Sequence, residues 1–302
     1  MDLGGSGPSL VFLHANGYPP ACYKPLLDFL ARNFHVSAIL QRPLWPNSAP
    51  DNLNSWHVLS DDLLDFLDEL RFDRVVAVGH SLGAVVALRA ALTAPDRFGA
   101  LILIDPVLKG IPAILACRIL RLLGLSVQAQ PQVRSALRRR RDFADDCTAF
   151  DGYRRQDVFR GISDAGLRTM IAGMTVATTQ GSRKLIYSPE WEARIYATAV
   201  CNDLDLWWRI SRLSVPTLIV RGAASRTFTH ATYCAVHAIN HRIRLQTIPN
   251  SSHLVPLECP RSVSETALAF LASPVPTLTE PPLEEGAAAN SREVARQKEK
   301  HE

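Results

Sequence analysis

The amino-acid sequence predicts an α/β protein: a doubly wound, mostly parallel sheet interrupted by a helical insertion. Two observations carry this. Six short apolar runs, at 9–13, 35–40, 74–78, 100–104, 216–220 and 243–248, are bounded by turn residues and lack clean polar alternation, as strands covered on both faces do. Helical patterns at 21–32, 60–70, 82–94 and 261–271 lie between or after them, and that alternation marks parallel strands joined by crossover helices.

In chain order, the run SLVFL ends in the turn HANGYPP, and the pattern at 21–32 leads to the second run. The helix at 60–70 opens with Asp61 and Asp62, which favour the positive end of the helix dipole. The third run enters the helix beginning near Leu82 with no intervening loop. After the fourth run the rhythm breaks: residues 106–213 carry no convincing strand and several arginine-rich helical patterns. The expected division is a core of 1–105 and 214–272, a helical cap at 106–213, and a tail at 273–302. That tail is rich in Pro, Glu, Ala and Lys and poor in large aliphatics, so it is expected to be disordered.

Composition bounds the function. With 302 residues and 47% hydrophobic side chains, the chain holds ample core. The six cysteines show no CxxC pair and no clustered histidines, so the sequence calls for no zinc site, no other metal, no cofactor and no disulfide framework. Reduced thiols and a cytoplasmic location are the simpler expectation. The N-terminus lacks a basic, then apolar, leader, and no uncharged apolar run reaches the ~18 residues of a membrane span. Net charge is +4, unevenly spread: residues 106–200 carry 15 Lys and Arg against 8 Asp and Glu, densest at Arg138 to Arg141. That run reads as a solvated helix face or as a patch for an acidic ligand or anionic surface. No aromatic interleaving or nucleic-acid motif accompanies it, which leaves a small molecule as the expected partner. Oligomeric state is not legible.

Gly79-His80-Ser81-Leu82-Gly83 places a serine between two glycines at a strand-to-helix junction. Side chains at positions 79 or 83 would collide with the neighbouring helix or strand, and the sharp turn lifts the serine hydroxyl above the sheet edge. This is the Gly-x-Ser-x-Gly nucleophile elbow, and on it the chain resembles the α/β-hydrolase superfamily. The phrases LHANGYPPACYKPLL, LQRPLWPNS and YSPEWEARIYAT look like a bacterial subgroup of capped members.

The resemblance, which spans 9–271, implies further roles. His14, Ala15, Asn16 and Gly17 stand where many members carry an oxyanion-hole segment, so the backbone N–H groups of Asn16 and Leu82 would face a developing oxyanion. His253, in the loop after the last strand, would be the general base, with His80 and His14 structural. The family order of serine, acid, histidine is kept. One departure stands out: the loop after the penultimate strand, where members usually carry an aspartate, reads GAASRTFTHATY, with Arg226 on or near the acid's slot. A cation there cannot orient an imidazole. Either the acid has moved to Asp105, in a Leu-Ile-Asp-Pro context resembling that of pancreatic lipase and its relatives, or it is missing. Asp105 before a proline is also an ordinary strand terminator; Asp203 and Asp205 are the fallback.

The implied activity is hydrolysis of carboxylic esters through an acyl-enzyme on Ser81. A serine here argues against the epoxide hydrolase and haloalkane dehalogenase branches, which use aspartate. Lactone, amide or carbon–carbon bond hydrolysis with the same residues is an alternative, as is a decayed scaffold that only binds. Tyr187, Trp191, Trp207 and Trp208 would wall an acyl pocket or form plain cap core.

Overall fold

The computed structural model describes residues 1–123, 130–179, 181–199 and 203–273. Seven strands form the main sheet in the order β1-β3-β2-β4-β5-β9-β10, namely β1 (Asp2–Gly4), β2 (Ser9–Leu13), β3 (His35–Ile39), β4 (Val75–His80), β5 (Phe98–Ile104), β9 (Thr217–Gly222) and β10 (Arg244–Ile248). All pair in parallel except β1, an antiparallel edge strand on β3. The six expected strands are all present, with ends shifted by a residue or two. β1 was not expected, since Asp-Leu-Gly offers almost no apolar pattern.

The central strands are covered on both faces because successive side chains point to opposite sides. Val11, Leu13, Ala77, Leu101, Leu103 and Ile219 enter one core. Leu10, Phe12, Val78, Ile102, Ile104, Leu218 and Val220 enter the other. Helices His57–Glu69 and Leu82–Thr93 cover the first face and pack on each other; Lys24–Leu30 and Pro260–Ala272 pair over the second.

Between β5 and β9 lie the helices Ile111–Leu122, Pro131–Leu137, Asp146–Arg154, Asp164–Met174, Pro189–Thr198 and Leu204–Arg209. Beside these helices the interval holds a small antiparallel sheet of β6 (Asp142–Phe143), β7 (Thr175–Ala177) and β8 (Arg183–Leu185) in the order β6-β8-β7. Strands of two and three residues are too short for periodicity to reveal. Tyr187, Trp191 and Trp207 are buried in the first core, whereas Trp208 is exposed, so three of the four aromatics are packing residues.

Cys117 is disulfide-bonded, which corrects the expectation of reduced thiols throughout. Cys22, Cys147, Cys234 and Cys259 are free, and Cys201 lies outside the described residues. Pairing depends on Cα atoms meeting within ~7 Å, a distance that spacing along the chain does not encode. The expected tail also lies, from 274 on, outside the described residues. Among the described residues, no helix is long and apolar enough to cross a membrane and no cluster of potential metal ligands occurs.

Candidate active site

Register brings the first two residues together. His80 pairs with Ile104 across β4 and β5, and Ile104 pairs with Val220 of β9. Ser81 and Asp105 therefore leave adjacent strands at one level, at the carboxyl edge where open α/β sheets bind ligands. Both backbones turn sharply: Ser81 has φ +55° and Asp105 φ +42°, a left-handed conformation that non-glycine residues seldom adopt. Two close approaches hold the elbow. A Cβ on Gly79 would stand 2.4 Å from the Gly83 carbonyl oxygen, and one on Gly83 2.2 Å from that of Leu13.

His253 sits in the loop between β10 and the short helix Val255–Glu258. Glu258 fastens that loop by accepting from the Ser252 N–H and hydroxyl, both at 2.6 Å. His253 Nδ1 lies 2.8 Å from Asp105 Oδ1, and its Nε2 lies 3.0 Å from Ser81 Oγ. A carboxylate only accepts, so Nδ1 carries the proton and the Nε2 lone pair faces the serine. Asp105 is fully buried. The Ser225 hydroxyl donates to its Oδ1 at 2.6 Å and the Gly222 N–H to its Oδ2 at 3.1 Å.

The other candidates are disposed of by position. Arg226 is exposed. Asp203 and Asp205 face Arg89, at 2.7 and 3.0 Å from its Nη2. Ser225, three residues past the end of β9 at Gly222, is the group that sequence reading missed. Its signal was a hydroxyl one position before Arg226, in the loop searched only for a carboxylate.

Around the elbow the proton positions are set by what each partner can accept. His80 Nε2 donates to the His253 carbonyl at 2.9 Å, its Nδ1 accepts from the Tyr23 hydroxyl at 2.8 Å, and that hydroxyl accepts from the Ala15 N–H at 3.3 Å. This chain ties the Ala15 turn, the elbow and the His253 loop to one another. Burial holds His80 neutral, its pKa well below the ordinary value, with the nearby His253 adding to the effect. His14 donates from Nδ1 to the Ala15 carbonyl and accepts at Nε2 from the Gln41 N–H; burial lowers its pKa to about 4. Neither histidine has a nitrogen left for catalysis. The backbone N–H groups of Asn16 and Leu82 donate to no other group among the described residues, the latter as the first N–H of its helix.

An imidazole nitrogen 3.0 Å from a serine hydroxyl, with a carboxylate behind the ring, can deprotonate that hydroxyl. The model of the alpha/beta hydrolase family matches residues 10–266. A 2-(acetamidomethylene)succinate hydrolase of Mesorhizobium japonicum is 23% identical over 83% of each chain, and an esterase of Mycobacterium tuberculosis is 26% identical over 88% of this chain and 83% of its own. An epoxide hydrolase of Siraitia grosvenorii is 36% identical, but over 32% of each chain, so this chain spans about a third of that relative. Among solved structures, an E-2-(acetamidomethylene)succinate hydrolase superposes with TM-score 0.71 at 22% identity, covering 89% of this chain and 93% of the other.

Proposed function

The chain belongs to the alpha/beta hydrolase family, and on that premise we propose that it is a serine hydrolase of carboxylic esters. One observation carries the reading: the unbroken hydrogen-bonded series from Asp105 through His253 to Ser81. Ser81 Oγ attacks the ester carbonyl as His253 Nε2 takes its proton. The tetrahedral oxyanion is met by the N–H groups of Asn16 and Leu82, each worth ~3–4 kcal/mol on removal in comparable enzymes. The imidazolium returns the proton to the departing alcohol, leaving an acyl-enzyme. Water, deprotonated by His253, then releases the acid and restores Ser81. Asp105 keeps the Nδ1 proton in place and offsets the charge on the ring.

The esterase relative supports this reading. The epoxide hydrolase likeness covers too little of either chain to compete, and Ser81 stands where that branch uses aspartate. Cleavage of an amide, a lactone or a carbon–carbon bond would use the same residues, and the succinate-derivative hydrolase keeps that second reading in view. The decayed-scaffold reading drew on Arg226; a carboxylate 2.8 Å from His253 speaks for a working site instead. We further propose that residues 106–213 act as a cap that selects the substrate over this site.

The test is labelling by a fluorophosphonate together with turnover of a short 4-nitrophenyl ester. Both are expected in the native protein and both should vanish in Ser81→Ala. Retention of more than a few per cent of turnover in that variant would end the proposal.

A further inference from the structure

Residues 106–141 contain eight Lys and Arg and no Asp or Glu. Arg134, Arg138 and Arg140 are exposed, the ordinary state of such a run. Arg139 is different. It follows the end of helix Pro131–Leu137 and turns inward, its side chain 20% exposed, donating from Nη1 to Glu192 Oε2 at 2.6 Å. A Cβ on Gly17 would lie 3.2 Å from that Nη1, so the guanidinium rests on the backbone next to Asn16. Glu192 is tied to the same turn, since its carbonyl accepts from Asn16 Nδ2 at 3.1 Å. A cap arginine and its carboxylate are thus fastened to the segment whose N–H faces the oxyanion in the proposed reaction.

A cleft of about 950 Å³ opens at this point, lined in part by Tyr18, Arg139, Tyr153, Glu192 and Tyr196. Arg139 presents unmet donors to it. The Arg139 guanidinium makes no hydrogen bond beyond the one to Glu192 among the described residues, which leaves Nε and Nη2 for another acceptor. Tyr153, 3% exposed, also lines the cleft, with its hydroxyl buried beneath the surface and without a partner. A guanidinium with one edge free is suited to a planar oxyanion pair. Arg134, Arg138 and Arg140 line the same cleft, so four guanidinium groups stand there against the one carboxylate of Glu192, and the cleft suits an anion.

Resting on the serine-hydrolase reading, we propose that this cleft binds a carboxylate carried by the substrate, with Arg139 as the residue that selects it. The substrates are then anionic esters rather than neutral lipophilic ones.

The experiment compares kcat/KM on mono-4-nitrophenyl glutarate (carboxylate on the acyl side) and 3-carboxy-4-nitrophenyl pentanoate (carboxylate on the leaving group) with that on neutral 4-nitrophenyl pentanoate. The native protein should prefer one anionic ester about tenfold or more. In Arg139→Gln/Glu192→Gln, which leaves no buried carboxylate unpaired, the anionic-to-neutral ratio should fall about 30-fold, or about 2 kcal/mol at 1.4 kcal/mol per factor of ten. If thermal midpoints show that this variant is unfolded, Arg139→Lys, which keeps the charge and loses the fork, makes the same comparison. A native ratio near one, or a ratio the folded variant does not change, overturns the proposal. Should no ester be turned over and Ser81 resist the fluorophosphonate, the hydrolase reading itself fails, and calorimetric titration with glutarate judges the cleft alone. Binding lost in the double variant upholds the carboxylate site; no heat at millimolar glutarate overturns it.

Discussion

The Ser225 hydroxyl donates to Asp105 Oδ1 at 2.6 Å, and that same oxygen faces His253 Nδ1 at 2.8 Å. The loop after β9, where the resemblance places the acid, here bears a hydroxyl that donates to Asp105, the proposed acid at the end of β5. The carboxylate is held from three directions, by His253, Ser225 and the Gly222 N–H.

Asp105→Asn should lower kcat by up to ~10⁴-fold, because an amide cannot hold the Nδ1 proton or offset the imidazolium. Arg226→Asp, on an exposed residue, should change little. Steady-state kinetics with thermal midpoints separate this from misfolding. A folded Asp105→Asn protein with native kcat refutes the assignment.

Ser225→Ala removes one hydrogen bond to a charged group, an interaction of ~1.5–3 kcal/mol. The expected result is a fall in kcat of about tenfold or more with KM little altered, since the hydroxyl touches Asp105 and not the substrate. A change in KM alone would show that Ser225 acts elsewhere.

His14 and His80 make stability depend on pH. Both are fully buried and held neutral, with pKa values below the unfolded one. Below an unfolded pKa of ~6.5 the unfolded chain takes up protons that the folded one refuses, so stability falls with pH until the folded groups titrate, at about 4 for His14. At 1.36 kcal/mol per unit, His14 alone costs roughly 2 kcal/mol between pH 6.5 and 5, and His80 adds in the same direction. Urea midpoints at pH 7 and pH 5 measure this. A higher midpoint at pH 5 would contradict the burial of neutral imidazoles.

Gly83→Ala forces a Cβ to within 2.2 Å of the Leu13 carbonyl oxygen. Backbone there has nowhere to move without breaking β2 from β4, so a loss at or above the usual ~1–3 kcal/mol of overpacking is expected. Urea unfolding of the variant reads it directly, with Ala84→Gly as a nearby change that introduces no clash.

Much of this protein was legible from its residues alone. Apolar runs covered on both faces and the helices between them declare a parallel sheet, because burial of both faces leaves no polar alternation. Gly79, Ser81 and Gly83 declare the elbow, because only glycine tolerates backbone at such range. His253 is singled out as the proposed base by its place after the last strand. The identity of the acid did not follow. An acid moved to Asp105 and a missing acid, with Arg226 at the usual slot, were the rival readings, because strand register, not sequence distance, decides that residues 105 and 253 meet while Arg226 is exposed. The same holds for Arg139: four consecutive arginines look alike in sequence, and only the end of a helix above the Asn16–Gly17 turn decides which one is drawn inward to Glu192. Short-range chemistry is written in local patterns, whereas contacts across 50 to 150 residues are set by how the layers pack.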